Sequence, residues 1–285
     1  MSSRLELLSS GGLRLDNRRP NELREIKITI EPNPPIGTDS SVSLQHGQTR
    51  LISSVSGPKD QYQRTPGTIN PSNSSNTSSN NQQIQVYVSS APFGSIDRRR
   101  TTTRRNNDRS LVDLELAIQS TFRPVIMLEL YQRSKIEIFI EIVEQDGSLL
   151  QASINATTLA LISAGVSISD YVLSISVGSL IKNTMSSNDD DDDDGDKDDG
   201  LVAMVDLIQE EEKDLNSLTI SFLPRSCKTS LIQLDQSRFD LDSFDRLLKV
   251  GLSACMVLHA RFEEEVKRVW ASEVMIDKRR SRMDD

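Results

Sequence analysis

Nine aspartates fall within the eleven positions from Asp189 to Asp199, in the stretch SSNDDDDDDGDKDDG, and Glu210, Glu211 and Glu212 follow a dozen residues later. Carboxylates at this density are the groups that gather divalent cations for hydrolysis or phosphoryl transfer. The spacing argues against that use. A calcium loop alternates its ligands at set positions and closes on a bidentate glutamate between two helices, which this run does not do. Adjacent like charges repel one another and extend the chain, so a solvated insert is expected. The only thiols are Cys227 and Cys255, the only imidazoles are His46 and His259, and none of the four stands at metal-ligand spacing. No metal and no cofactor are expected.

The cations are clustered as well. Arg98, Arg99, Arg100, Arg104, Arg105 and Arg109 form one block, and Lys278, Arg279, Arg280 and Arg282 form another. Such blocks can hold the phosphates of a nucleic acid, the alternative being solvated loops and tails. The net charge of −9 does not oppose the first reading, because the acidic segment with Lys197 carries −8 of it and leaves a nearly neutral body. The longest mostly apolar stretch, TLALISAGVSI, is too short to span a bilayer. The amino terminus shows no signal-peptide core, and two distant cysteines suit a reducing compartment. A soluble intracellular protein with no membrane contact is expected.

These groups need elements to position them. Alternation at Ile26, Ile28 and Ile30 predicts a strand, and SVSLQHG and QTRLISSVSGP predict two more, joined at His46-Gly47 and stopped at Gly57-Pro58. Residues 59–82 are so poor in apolar groups that a disordered polar insert is expected. QIQVYVSSAPFG reads as a strand. From Asp108, a candidate N-cap, Leu111, Leu114, Ala117, Ile118 and Phe122 recur at helical spacing. SKIEIFIEIVEQDG alternates strongly and predicts a strand. SLLQASINATTLALISAGV predicts a helix of small residues ending at Gly165, suited to close packing on a sheet. Four short strands follow, at YVLSISVGSLI, LVAMVDL, SLTISFLP and SLIQLDQS, and a long amphipathic helix runs from Leu241 to Met275. The expectation is a single α+β domain over 1–276, with mixed or antiparallel sheets, two central helices and a long C-terminal helix. Inserts are expected at about 59–82 and 185–200, and a basic and acidic tail at 277–285.

Five stretches in order, LRLDNRRPNELR (13–24), HGQTRLISSVSGP (46–58), NDRSLVDLELAIQSTF (107–122), EQDGSLLQASINATTLALISAGV (144–166) and VDLIQEEE (205–212), resemble the RNase PH family. Within it the chain looks most like the eukaryotic RNA exosome core subunit whose archaeal counterpart is the catalytic ring subunit. The resemblance implies phosphorolysis, in which inorganic phosphate attacks the terminal phosphodiester of RNA and releases a nucleoside diphosphate. Active members carry Asp-Gly-Gly-Thr-Arg at a strand-to-helix turn, where backbone amides, a hydroxyl and a guanidinium converge on phosphate. Here the turn reads Asp146, Gly147, Ser148, Leu149, Leu150, with leucines where the family has threonine and arginine. The family's two carboxylates, six residues apart, fall on Glu212 and on Leu218, which can neither ligate a metal nor move a proton. A shifted alignment that recruits Asp214 would put the strand LTISFLP out of register. Arg109 matches an RNA-contacting arginine of the family, with a helix-start pair to Asp113 as the alternative. Arg18 and Arg19 keep the basic character of the amino-terminal motif, although Asn17 replaces its usual glycine.

The resemblance therefore implies a non-catalytic subunit of the exosome ring, supporting 3'-to-5' processing and degradation of RNA by a hydrolytic nuclease bound elsewhere. The implied partners are other RNase PH-like subunits in a hetero-oligomeric ring, cap subunits, that nuclease and single-stranded RNA. Arg109 and Arg98, Arg99, Arg100, Arg104 and Arg105 are the expected RNA-binding residues. The implied address is nucleus, nucleolus and cytoplasm. An active phosphate-dependent 3'-to-5' exoribonuclease and a free-standing RNA-binding protein are the alternatives.

Overall fold

A computed structural model describes residues 7–9, 11–31, 34–60, 83–94, 109–131, 134–181, 201–235 and 240–281. The polar segment 61–82, the arginines from 98 to 105, the expected N-cap Asp108 and the acidic segment 185–200 lie outside the described residues.

The opening strands form an antiparallel meander, β1 (Ile26–Ile30), β2 (Ser40–His46) and β3 (Thr49–Asp60), with His46 paired to Thr49 across a two-residue turn. Strand β4 (Ile84–Ser90) lies at the far edge of the same sheet. Between them runs β5 (Ser134–Glu144), antiparallel to β3 and parallel to β4, which gives the order β1-β2-β3-β5-β4. Its alternation buries Ile136, Ile138, Ile140 and Ile142 on one face, while Phe139 on the other stacks on Tyr87 at 5.2 Å. One boundary differs from expectation. Gly57-Pro58 does not end β3: the register slips between Ser56 and Lys59, and pairing resumes at Lys59↔Lys135 and Asp60↔Ser134. A proline that cannot donate to the ladder is accommodated at the irregularity.

Helix α1 (Arg109–Phe122) packs on β4 and α2 (Leu149–Ser163) lies between the two sheets. Eleven consecutive residues of α2, Gln151 to Leu161, are buried, so this stretch of the helix has no solvent face. Its small residues Ala152, Ser153, Ala156 and Ala160 allow the close approach that such a position requires.

The second sheet, ordered β7-β6-β8-β9, is antiparallel throughout: β6 (Leu173–Ile181), β7 (Leu201–Val205), β8 (Asn216–Leu223) and β9 (Lys228–Asp235). A short helix the sequence did not announce, α3 (Gln209–Asp214), is made by the glutamate run itself. Helix α4 (Leu241–Ser281) covers one face of the sheet through Leu247, Gly251, Cys255 and Leu258, and it runs beyond the expected end at Met275. Gly251 faces the sheet there, where an added Cβ would stand 2.8 Å from the end of the Ile220 side chain and oblige it to shift. The α+β class, the two central helices and the long last helix are as the sequence implies. Among the described residues no helix is long and apolar enough to cross a membrane.

Candidate functional site

The amino-terminal segment from Arg14 to Arg24 folds across the junction of β7 and α3, and a buried ionic web holds it there. Arg14 grips Glu211 through both ends of its guanidinium, Nε donating to Oε1 at 2.9 Å, and neither side chain is exposed. Its Nη2 also donates to the Asp206 carbonyl at 2.9 Å. Glu211 accepts in addition from the Ile208 amide at 3.1 Å, which caps the start of α3.

Asp206 sits at the centre, fully buried, with a positive φ of 60° that turns the chain from β7 into α3. Arg24 donates to its carboxylate from Nη2 at 2.7 Å, Nε at 3.0 Å and the backbone amide at 2.8 Å. His46 Nε2 lies 2.9 Å from Oδ2. Burial works against the charge on Asp206, but His46 and Arg24 outweigh it and hold the carboxyl well below the usual carboxylate range. Arg18 pairs with Asp16 and donates to the Glu22 and Asp206 carbonyls at 2.8 and 3.2 Å.

The strand-to-helix turn adjoins this web. Gly147 and Ser148 have φ of 75° and 50°. Gly147 lies so close to the β7–α3 connection that a Cβ would come within 2.5 Å of the Gln209 nitrogen. Ser148 is buried; its hydroxyl meets the Ser176 hydroxyl and donates to the Leu207 carbonyl at 2.8 Å. Gln151 extends the chain of polar groups, accepting from the Ser176 amide at 2.9 Å and lying 3.3 Å from His46 Nδ1. The backbone amide of Ser148 donates to Glu212 Oε2 at 3.2 Å. Burial raises the Glu212 carboxyl above its ordinary value, against the opposing hydrogen bond from Ser148. Asp146 is raised too, chiefly by burial, with Arg24 opposing.

Outside the turn lies a cleft of about 740 Å³ whose walls include Asp16, Arg18, Glu144, Asp146, Glu210 and Lys213. Acidic groups outnumber basic ones among these six, an unfavourable lining for an anionic ligand.

Leu149 and Leu150 are half-buried and pack against the first core, so they contribute no polar group to the turn. Glu212 does reach the turn. Leu218 does not, which corrects its expected place in the site. It pairs with Val177 and faces α4 in the second core, whereas the neighbouring pair Ser217↔Gly178 takes the face toward Leu207. Strand alternation sends Leu218 to the opposite side of the sheet from Ser148. Asp214 is exposed at the end of α3. Arg109 is exposed at the first position of α1, and Arg19 is exposed in the amino-terminal segment. Arg98, Arg99, Arg100, Arg104 and Arg105 lie outside the described residues. Among the described residues no group of three or more His, Cys, Asp or Glu side chains could hold a metal ion.

Residues 22–167, which include the meander, both central helices and the turn, match the model of the 3' exoribonuclease family, RNase PH, domain 1. The chain belongs to the RNase PH family. It is 30% identical over 266 residues to the exosome complex component SKI6 of Saccharomyces cerevisiae, covering 93% of this chain and 95% of that protein. It is 28% identical to the human exosome complex component RRP41 over 93% of this chain and 94% of that one. Rice Rrp46 shares the RNase PH fold with a TM-score of 0.65 at 21% identity, over 89% of this chain and 100% of that one. Against that fold, the groups that spacing alone did not single out are Arg14, Arg24, His46, Asp206 and Glu211. The available signal was Asp206 itself, a carboxylate directly after the apolar run LVAMV, which burial obliges to find partners.

Proposed function

We propose that this chain is a non-catalytic subunit of an RNA exosome ring, which guides single-stranded RNA toward a hydrolytic nuclease carried by another subunit. The observation that carries the reading is the turn from Asp146 to Leu150. Leu149 and Leu150 are packed against the core, and Arg14, Arg18 and Arg24, which gather beside the turn, are each paired with a carboxylate of the chain. None of these three guanidinium groups is therefore free to hold an attacking phosphate. The exosome components among the relatives support the assembly part of the reading. The exposed Arg109 is the described residue proposed to meet RNA, by a sequence-independent contact that weakens with salt.

Incubating the isolated chain, and then the reconstituted ring, with RNA and phosphate tests the catalytic half. No phosphate-dependent release of nucleoside diphosphate is expected. Release that Glu212→Ala abolishes would establish the active exoribonuclease instead. Native mass spectrometry of the chain with its copurifying partners tests the assembly half, and a lone monomer would overturn it.

A further inference from the structure

We infer that the groove between β1 and α4 docks an extended segment of another polypeptide, apolar at alternate positions and basic at its ends, which pairs with β1 as a sixth strand. The inference stands apart from whether the turn at Ser148 serves catalysis.

The chain closes two of its sheet edges and leaves this one open. At the β4 edge, Glu115 of α1 accepts from the Val88 amide and Gln119 donates to the Ile84 carbonyl, both at 2.8 Å. At the β7 edge, the Val205 amide donates to the Pro20 carbonyl at 2.9 Å, and the Val205 carbonyl accepts from Arg14. Strand β1 is the other edge of the first sheet. The Gly47 amide donates to the Glu25 carbonyl and the Glu31 amide to the Ser41 carbonyl, so by alternation the backbone groups of Lys27 and Thr29 face β2. Those of Ile26, Ile28 and Ile30 point away from the sheet, and among the described residues nothing pairs with them. Such an edge is a template for a further strand.

Beside it lies a groove of about 770 Å³, with Ile26 and Ile28 on one wall and Val250, Ala254 and Val257 of α4 on the other. Val257 is 55% exposed. Five residues of strand offer few ladder bonds, so burial in this groove has to supply the rest. Its charged lining is mostly acidic: Glu22, Glu25, Glu264 and Glu265 stand against Arg261 and against Arg24, which is committed to Asp206. Glu25 and Glu265 pair with Lys27 and Arg268. Among the described residues Glu22 and Glu264 have no cation at salt-bridge distance, and they suit the basic ends of the incoming segment. A residue opposite an isoleucine of β1 shares its face, so the apolar side chains of the segment enter the groove while their own backbone groups meet β1.

The probe is an acetylated, amidated peptide, Lys-Val-Thr-Val-Thr-Val-Arg, titrated against the full chain and followed through the amide resonances of Ile26, Ile28 and Ile30. Binding that shifts all three is expected. N-methylation of the valines should weaken it at least about tenfold, whereas N-methylation of the threonines should leave it within about threefold. Glu22→Lys combined with Glu264→Lys should reverse the charge preference, so that the variant takes the same peptide with glutamate ends more tightly than the basic one. Val257→Asp, at an exposed position, should abolish binding with an unchanged thermal melt. No binding at millimolar peptide, binding indifferent to methylation of the valines, or a charge preference that the double variant leaves unreversed would overturn the inference. So would a dimer of the chain alone that Val257→Asp dissolves in sedimentation, because the face would then belong to a second copy.

Discussion

The ionic web around Asp206 and the turn at Ser148 are neighbours built from similar groups, yet they treat charge in opposite ways. In the web each buried carboxylate meets cations at hydrogen-bond distance, Asp206 with Arg24 and Glu211 with Arg14. At the turn the Glu212 carboxylate meets one backbone amide, and burial raises its proton affinity. Charge is thus committed to holding the amino-terminal segment on the β7–α3 junction, and little is left for a ligand. A count of charged residues near a cleft says little about its use until each partner is known.

The largest effect is expected at the centre of the web. Asp206→Ala leaves Arg24 and His46 buried without their carboxylate and should cost about 3–5 kcal/mol in chemical denaturation. The same group sets an acid limit. Its folded-state affinity for a proton lies far below the ordinary carboxylate value of 3.8, so its stabilisation is complete above that value and is lost as pH falls toward the folded-state value. Stability measured against pH should drop in acid, and Asp206→Asn should remove part of that slope.

Next comes the Arg14–Glu211 pair. Glu211→Ala alone should cost about 3 kcal/mol, because it strands a buried guanidinium. The double change of Arg14→Met with Glu211→Leu should recover much of that loss, since the desolvation of both charges is removed together. A double change as harmful as the single one would mean that the cap on α3, and not the ion pair, is what Glu211 contributes.

Much of the fold was legible because it rests on periodicity. The isoleucines of β5 and the stripe of α4 announce their own burial. The turn was legible through the resemblance, which drew attention to Leu149 and Leu150. Two features were not. The glutamate run carries no apolar stripe, so α3 is defined by its contacts with Arg14 and Ser148. The facing of Leu218 depends on the register of β8 against β6, a property of pairing that counting six residues from Glu212 does not supply.

A smaller effect is expected from returning a cation to the turn. Leu150→Arg takes a half-buried apolar side chain from the edge of the first core and should cost about 1–2 kcal/mol. It should not create phosphorolysis, because Glu212 still covers the Ser148 amide. Phosphate-dependent nucleoside diphosphate release by this single variant would show that the missing guanidinium was the whole barrier.

The smallest effect belongs to Glu212→Gln, and its sign sharpens the contrast between the two regions. Burial raises the folded-state proton affinity of Glu212 above its ordinary value of 4.5, so the ionised carboxylate costs stability that the protonated form does not. That cost is absent below the ordinary value and grows as pH rises through the folded-state value. A carboxamide keeps an oxygen on the Ser148 amide and carries no charge. The variant should therefore match the wild type in acid and equal or exceed it at neutral pH, by no more than about 1 kcal/mol. A loss at neutral pH would show that the charge on Glu212 stabilises the turn as Asp206 stabilises the web, and the two regions would then obey one rule.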